Sequence, residues 1–539
     1  MSKLLRGTLI LSAAIFISKF LGMIYVFPFY ELVGTQGGVL FSYAYVPYTI
    51  MLSLSTLGIP LAVSKFVAKY NALEDYETGR RLFNSGILVM TGAGIISFIL
   101  LNILAPFIAP LIVDENATSG NTISDVVYVI RMVSFALIIV PVMSLIRGYF
   151  QGHQSMEPTA VSQVVEQIIR IIVILGGSYL IIRVYNGEIS TAIGISTFGA
   201  FVGAIASMGV LFIFWLKKRK FFKEQYETAK QSEKVSLSKI YKELLSYAWP
   251  FVFFSIAIPL YQLIDTVTYN RTLIAGGYPQ EVAEQAQSVI NFYGHKLVMI
   301  PFSLTVALAL SLIPAITKSF TLEDSKLVNR QIAQSMQIIL LLILPISAGM
   351  SVMAYEVYGL FYGTADMEMG GALLMVYAPV AVIFGLFTVT ASILQGINQQ
   401  KLSVFSILTG FAIKASLNVP LLSLFNEYGS IYATALGFTV TIVLNVYIIK
   451  KHTSFSFGPL GKQALTIISV TIAMILPAYL IRLGMYEIVG RTRIDMLYIL
   501  LASTVVAGFI YVFLGYRFQL FQQLLGHKIR FLRKTKKEG

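Results

Sequence analysis

Long apolar blocks recur along nearly the whole chain, separated by short stretches rich in charge, glycine, proline or asparagine. Each block is long enough to cross a hydrocarbon layer of about 30 Å as a helix. The blocks lack the short alternating apolar and polar segments of a membrane β-barrel, which excludes that architecture. Cutting at the polar punctuation predicts fourteen spans, at residues 4–30, 39–64, 82–112, 126–150, 159–183, 191–216, 244–270, 285–313, 331–360, 371–395, 402–424, 431–450, 463–482 and 495–516. The first block is too long for a signal-peptide core and shows no small-x-small cleavage site ahead of a soluble domain. It is expected to remain as the first helix. The fold class expected is an all-α polytopic membrane protein.

Composition strengthens this picture. The 539 residues are 56% hydrophobic and only 12% charged, with a mean hydropathy of +0.77, far from a soluble domain. A formal net charge of +14 points to nucleic acid only where a folded soluble face carries it, and no such domain is visible. The chain has no cysteine, so disulfides, thiolate catalysis and Cys-ligated metals are excluded. His153, His295, His452 and His527 are scattered without metal-ligand spacing. No phosphate-binding loop or nucleophile elbow appears. The acidic pair in Asp366-Met367-Glu368 falls on the wrong side for a cytosolic nucleotide. A transporter is expected, with no enzyme activity, no cofactor and no metal.

The charges also orient the chain. Most of the 40 Lys and Arg fall on the side of the N-terminus, so both termini are expected in the cytoplasm. They concentrate at 65–81, in the linker 217–242 and in the tail 517–537, while the opposite loops 114–125 and 362–370 carry acids and no Lys or Arg. Basic clusters beside a membrane are ordinary topology signals that also attract anionic lipid. Arg491 and Arg493 break the pattern.

An internal repeat is legible. Pro47 and Pro60 in the second span have the spacing of Pro301 and Pro314 in the eighth. The loops that follow match as well, with Glu74, Asp75 and Arg81 corresponding to Glu323, Asp324 and Arg330. Gln151-Gly152 after span four corresponds to Gln395-Gly396 after span ten, and Arg170 to Lys414. The paired spans run in the same direction, which predicts two parallel six-helix lobes followed by two additional helices. The expected domains are a first lobe at 1–216, a basic cytoplasmic linker at 217–243, a second lobe at 244–450, two further helices at 451–516 and a basic tail at 517–539. Repeats of this kind place the substrate between the lobes near mid-membrane, with one lobe rocking against the other.

Four cations fall near mid-span: Lys19, Arg170, Lys296 and Lys414. Each costs about 2.5–3.5 kcal/mol at a helix centre, so each needs a wet cavity or an anionic partner. Arg170 has Glu166 one turn earlier, which can pair with it. Lys414 lacks a nearby acid, although Asn418 is in reach, and either lobe packing or function accounts for it. Lys19 and Lys296 also lack local acids and are expected to face a cavity. His295 and Asn291 share the neighbourhood of Lys296, and Ser18 that of Lys19; with the four cations these three are the candidate substrate-binding residues. Asp265, with Asn418, is a candidate for ion coupling.

The residues Ile17-Ser18-Lys19-Phe20-Leu21-Gly22, the segment from Gly58-Ile59-Pro60 to Lys69-Tyr70, the run His295-Lys296-Leu297-Val298-Met299-Ile300-Pro301 and the two Gln-Gly turns together resemble the MurJ lipid II flippases. That family lies in the multidrug/oligosaccharidyl-lipid/polysaccharide exporter superfamily, and the sequence is most similar to its YtgP and SpoVB branch. The resemblance implies a pair of lobes around a cationic cavity for a diphosphate-sugar headgroup, and a lipid-tail groove near the last two helices. It implies substrate-binding roles for Lys19 and Lys296, each standing where the family carries arginine. Lysine keeps the point charge and loses the bidentate fork. The sequence departs from the family near Tyr25, Gly38, Met51, Leu52 and His295, where family charges are absent. Lipid II, another polyprenyl-diphosphate-linked saccharide and a drug remain the cargo alternatives. Membrane lipids and cell-wall synthesis proteins are the other partners the resemblance implies.

Overall fold

The computed structural model describes residues 3–56, 58–113, 120–227 and 236–521. The centre of the predicted linker, most of the basic tail and residues 114–119 of the acidic loop lie outside the described residues. Among the described residues every regular element is helical. The chain forms two compact units that divide between Ser288 and Val289.

The first unit contains α1 (Lys3–Ile24), α2 (Val26–Thr56), α3 (Ile59–Ala72), α4 (Tyr76–Ile112), α5 (Ile123–Ser134), α6 (Ala136–Gly152) and α7 (Glu157–Tyr179). A π-helical turn at Leu180–Val184 follows, then α8 (Ile189–Glu227), α9 (Leu237–Ala275) and α10 (Gln280–Ser288). The second unit opens on a π-helical turn, Val289–Tyr293, and continues as α11 (Gly294–Thr321), α12 (Ser325–Val352), α13 (Ala354–Tyr362), α14 (Met367–Tyr377), α15 (Val380–Gly396) and α16 (Gln400–Phe425). A 3₁₀ turn at Asn426–Tyr428 leads to α17 (Gly429–His452), α18 (Gly458–Tyr486) and α19 (Arg493–Arg517).

Among the described residues twelve helical stretches are long and apolar enough to cross a membrane. One of them, Gln400–His452, is the pair α16 and α17, which pack on each other. The shorter apolar helix Ala13–Ile24 precedes the others. Splitting the pair and adding the first helix accounts for the fourteen spans expected from the hydrophobic pattern.

Two spans are broken where glycine permits it. Helix α2 leaves helical geometry at Gly34 (φ 62°, ψ −163°), so the first span runs on to Val33. Gly58 caps α3 in the left-handed region (φ 66°), where a side chain would be strained, and Pro60 then sits in the first helical turn, where no N–H is needed. Leu312 stands at the equivalent place in the other half, and there α11 runs unbroken through Pro301 and Pro314.

The repeat is present in the backbone. Glu74 (φ 59°) and Glu323 (φ 55°) are both left-handed. The aspartate after each caps the next helix, Asp75 accepting from Thr78 N and Asp324 from Leu327 N. Two residues beyond each Gln-Gly, Gln154 (φ 55°) and Asn398 (φ 60°) are again left-handed. The Gly152 position approaches Ser64 O and Val67 of α3, and the Gly396 position approaches Ile313 O and Ile316 of α11. The same helix crossing is thus built twice, on glycines at equivalent places.

Candidate substrate site

In the first unit, Gln163, Glu166, Gln167 and Arg170 lie three and four residues apart, on one face of α7. All four are half-buried, and α7 packs on α1 and α2. The Gly22 position of α1 lies against Gln167 Nε2 at 3.2 Å, which places Ser18 and Lys19 one turn away along the same helix. Lys19 is exposed. Ser18 Oγ and Gln163 Oε1 are enclosed and make no hydrogen bond to any described residue.

Glu166 serves two arginines. Its Oε1 accepts from Arg170 Nη2 at 2.5 Å and its Oε2 from Arg147 Nη2 at 2.9 Å. Arg147 also donates through Nη2 to Ser207 Oγ (2.7 Å) and through Nε to Ser162 Oγ (2.9 Å). Arg170 Nε is buried and has no acceptor among the described residues. The phenols of Tyr25, Tyr45 and Tyr48 lie within electrostatic range of the Arg170 guanidinium, and Tyr45 and Tyr48 pack edge to face at 5.4 Å. The pairing of Arg170 with Glu166 follows the helical spacing. Arg147 escapes sequence reasoning because it sits near the predicted end of span four and meets Glu166 only through the tertiary fold.

The other expected site residues fall into separate groups. Asn291 is buried in the π-helical turn, a distortion frequent at functional sites. Gly294 is required there, since a Cβ would lie 2.6 Å from Val289 O. His295 Nδ1 is 2.7 Å from Tyr377 OH, and half-buried Lys296 carries its ammonium 5.8 Å from the centroid of the Phe292 ring. Lys414 is fully buried and donates to Asn418 Oδ1 (2.8 Å) and Ser430 O (2.9 Å), joining α16 to the start of α17. Asp265 is buried in α9, where its backbone carbonyl accepts from Gln287 Nε2 at 3.1 Å.

Two buried acids were missed in the sequence reading. Glu284 accepts from Asn121 Nδ2 (2.8 Å), from the Asn121 backbone N–H and from Gln280 Nε2 (2.9 Å). Amide donors therefore serve a carboxylate that is only 2% exposed. Glu356, fully buried in α13, accepts from Arg482 Nε and Tyr486 OH, each at 2.5 Å. Arg491 reaches Glu368 at 3.4 Å and stacks on Tyr486, and the Arg493 guanidinium borders the Gly363 position. The arginines that break the charge pattern thus fasten α18, α19 and their connection to α13 and α14. Beside that clamp, α12, α18 and α19 enclose an apolar cavity of about 520 Å³, lined by Leu341, Pro345, Met350, Met474, Ala478 and Tyr511 among others.

Long apolar helices, a twofold internal repeat and half-buried intramembrane cations define a multi-pass helical transporter. An inward-facing multidrug transporter of the MATE family, in the MOP superfamily, has the same fold, with a TM-score of 0.64 at 13% identity over 81% of this chain and 95% of that one. The solved structure of lipid II flippase MurJ in its inward closed conformation superposes with a TM-score of 0.65 at 15% identity, covering 95% and 98% of the two chains. Residues 4–320 match the polysaccharide biosynthesis protein family. Lipid II flippase MurJ of Bacillus subtilis (strain 168) is 43% identical over 543 residues, covering 100% of both chains. The chain belongs to the MurJ family of polysaccharide biosynthesis proteins.

Proposed function

We propose that this protein is a lipid II flippase, carrying an undecaprenyl-diphosphate-linked peptidoglycan precursor from the inner to the outer leaflet of the bacterial cytoplasmic membrane. The observation that carries this reading is the 43% identity to a lipid II flippase along the full length of both chains. The intramembrane cations support it, because a diphosphate offsets the cost of charge in a low-dielectric site whereas a cationic drug would add to it. Lys19, Arg170 and Lys296 are assigned to the anionic headgroup, with Ser18, Asn291 and His295 as hydrogen-bonding neighbours. Lys414 and Asn418 act through the helix pair they join. Asp265 remains the candidate for ion coupling. The lipid tail is assigned to the apolar cavity at α12, α18 and α19, whose walls match a polyprenyl chain. The lobes are assigned to 1–216 and 244–450, with both termini in the cytoplasm as the distribution of Lys and Arg requires.

Complementation tests the assignment. Cells depleted of their own lipid II flippase should regain growth and surface-accessible lipid II when they express this protein. Normal expression with neither recovered would redirect the search to other polyprenyl-linked saccharides.

A further inference from the structure

We propose that Glu166 is an exchangeable counter-ion. In the empty protein it is shared by Arg147 and Arg170; when the substrate diphosphate binds, Arg170 turns to it and Glu166 stays with Arg147. The inference rests on the flippase reading above and adds two positioning residues, Arg147 and Glu166, to the headgroup site.

The argument begins with charge. Two guanidiniums on one carboxylate leave a net positive charge in a membrane-embedded cluster whose side chains are 11%, 13% and 21% exposed for Arg147, Glu166 and Arg170. Uncompensated charge there is costly unless an anion visits.

The two arginines are held unequally. Arg147 is tied by Glu166, Ser162 and Ser207, which engage Nε and Nη2. Among the described residues Arg170 has Glu166 alone as a hydrogen-bond acceptor, and its buried Nε has none. Arg170 is also the more exposed of the two and lies within electrostatic range of the phenols of Tyr25, Tyr45 and Tyr48. An arriving diphosphate can therefore take Arg170 with a bidentate fork, and Arg147 keeps Glu166 from becoming an unpaired buried anion. The partly exposed ring of Tyr45, backed edge to face by buried Tyr48, supplies an apolar face and a hydroxyl of the kind a sugar beside the diphosphate uses.

The exchange makes a prediction about sign that a packing network does not. Glu166→Gln raises the cluster charge by one and frees Arg170, so the diphosphate should bind tighter, while turnover falls because release is slower. Arg147→Gln leaves Glu166 to neutralise Arg170, so binding should weaken. The double variant restores the original net charge and should return toward wild type. Arg147→Lys, which keeps the charge but loses the fork, should weaken binding less than Arg147→Gln.

The measurement is affinity for lipid II and for undecaprenyl diphosphate in the purified full-length protein, together with flipping rates in proteoliposomes. Shifts of about tenfold in opposite directions for the two single variants are expected. Wild-type binding with both single variants shifted the same way, and the double variant no better, would overturn the exchange and leave the flippase reading standing. Wild-type protein that binds neither lipid would overturn both. Should Arg147→Gln fail to accumulate, Glu166→Gln decides alone, since it must tighten binding while slowing turnover.

Discussion

A cation in the middle of a span is tolerated only with compensation, and the four identified in the sequence find it differently. Lys414 is fully enclosed and spends two of its donors on Asn418 and the Ser430 carbonyl. Arg170 takes the carboxylate one turn earlier. Lys19 is exposed and Lys296 half-buried beside an aromatic face, and neither has an acid on its own helix turn, so a polyanionic headgroup is assigned to these two together with Arg170. Replacing either Lys19 or Lys296 by glutamine should reduce flipping at least tenfold without loss of folded protein, because a unit pair at 4 Å contributes about 4 kcal/mol at an effective dielectric near 20. Arginine at either position should retain part of the activity. The check is transport in proteoliposomes alongside a thermal-stability measurement, and a glutamine double variant flipping at the wild-type rate would remove these lysines from the site. What the sequence could show at this scale was bounded by helical spacing. Glu166 and Arg170 share a helix and were paired correctly. Arg147 with Glu166, and Arg482 with Glu356, join residues 19 and 126 positions apart, and only the packed helices bring them together.

At the scale of elements, hydrophobic length and punctuation located every span, and the repeat in short motifs proved to be a repeat in backbone geometry. The boundaries that failed are the ones that length does not encode. Span two ends early at Gly58 because glycine allows a left-handed cap, and the π-helical turn before Gly294 depends on a carbonyl lying where a Cβ would stand. The doubled crossing of α3 with α6 and of α11 with α15 carries its own prediction. An alanine Cβ at Gly152 would lie 2.7 Å from Val67 Cβ and 2.9 Å from Ser64 O, and one at Gly396 would lie 2.8 Å from Ile316 Cβ. Each is closer than packed atoms approach, so Gly152→Ala and Gly396→Ala should each cost about 1–3 kcal/mol through overpacking. Thermal unfolding in detergent checks this, and the two losses should be similar because the two crossings are equivalent. Trimming Val67 to alanine should recover part of the loss at Gly152 and none of the loss at Gly396.

For the whole molecule, the decisive question is what drives the cycle, since the only energy available in the proposed mechanism comes from the membrane itself. Outward movement of a net negative substrate across an inside-negative membrane gains about 2.3 kcal/mol per charge per 100 mV when the charge crosses the full field. Lys19, Arg170 and Lys296 offset part of that gain on the loaded stroke. Once the headgroup has left, the same cations are uncompensated, and the field draws them back toward the cytoplasm. One potential thus favours both strokes, through charges that have opposite signs at the two stages. Collapsing the potential at fixed pH and sodium should therefore slow the arrival of lipid II at the outer leaflet of cells or proteoliposomes. The slowing should be steepest in Glu166→Gln, whose empty state carries one more positive charge through the field. Flipping that continues unchanged after verified depolarisation would eliminate the mechanism. Arrest on removing only the proton or sodium gradient would instead assign the coupling to an ionisable side chain, with Asp265 and His295 the first to be replaced.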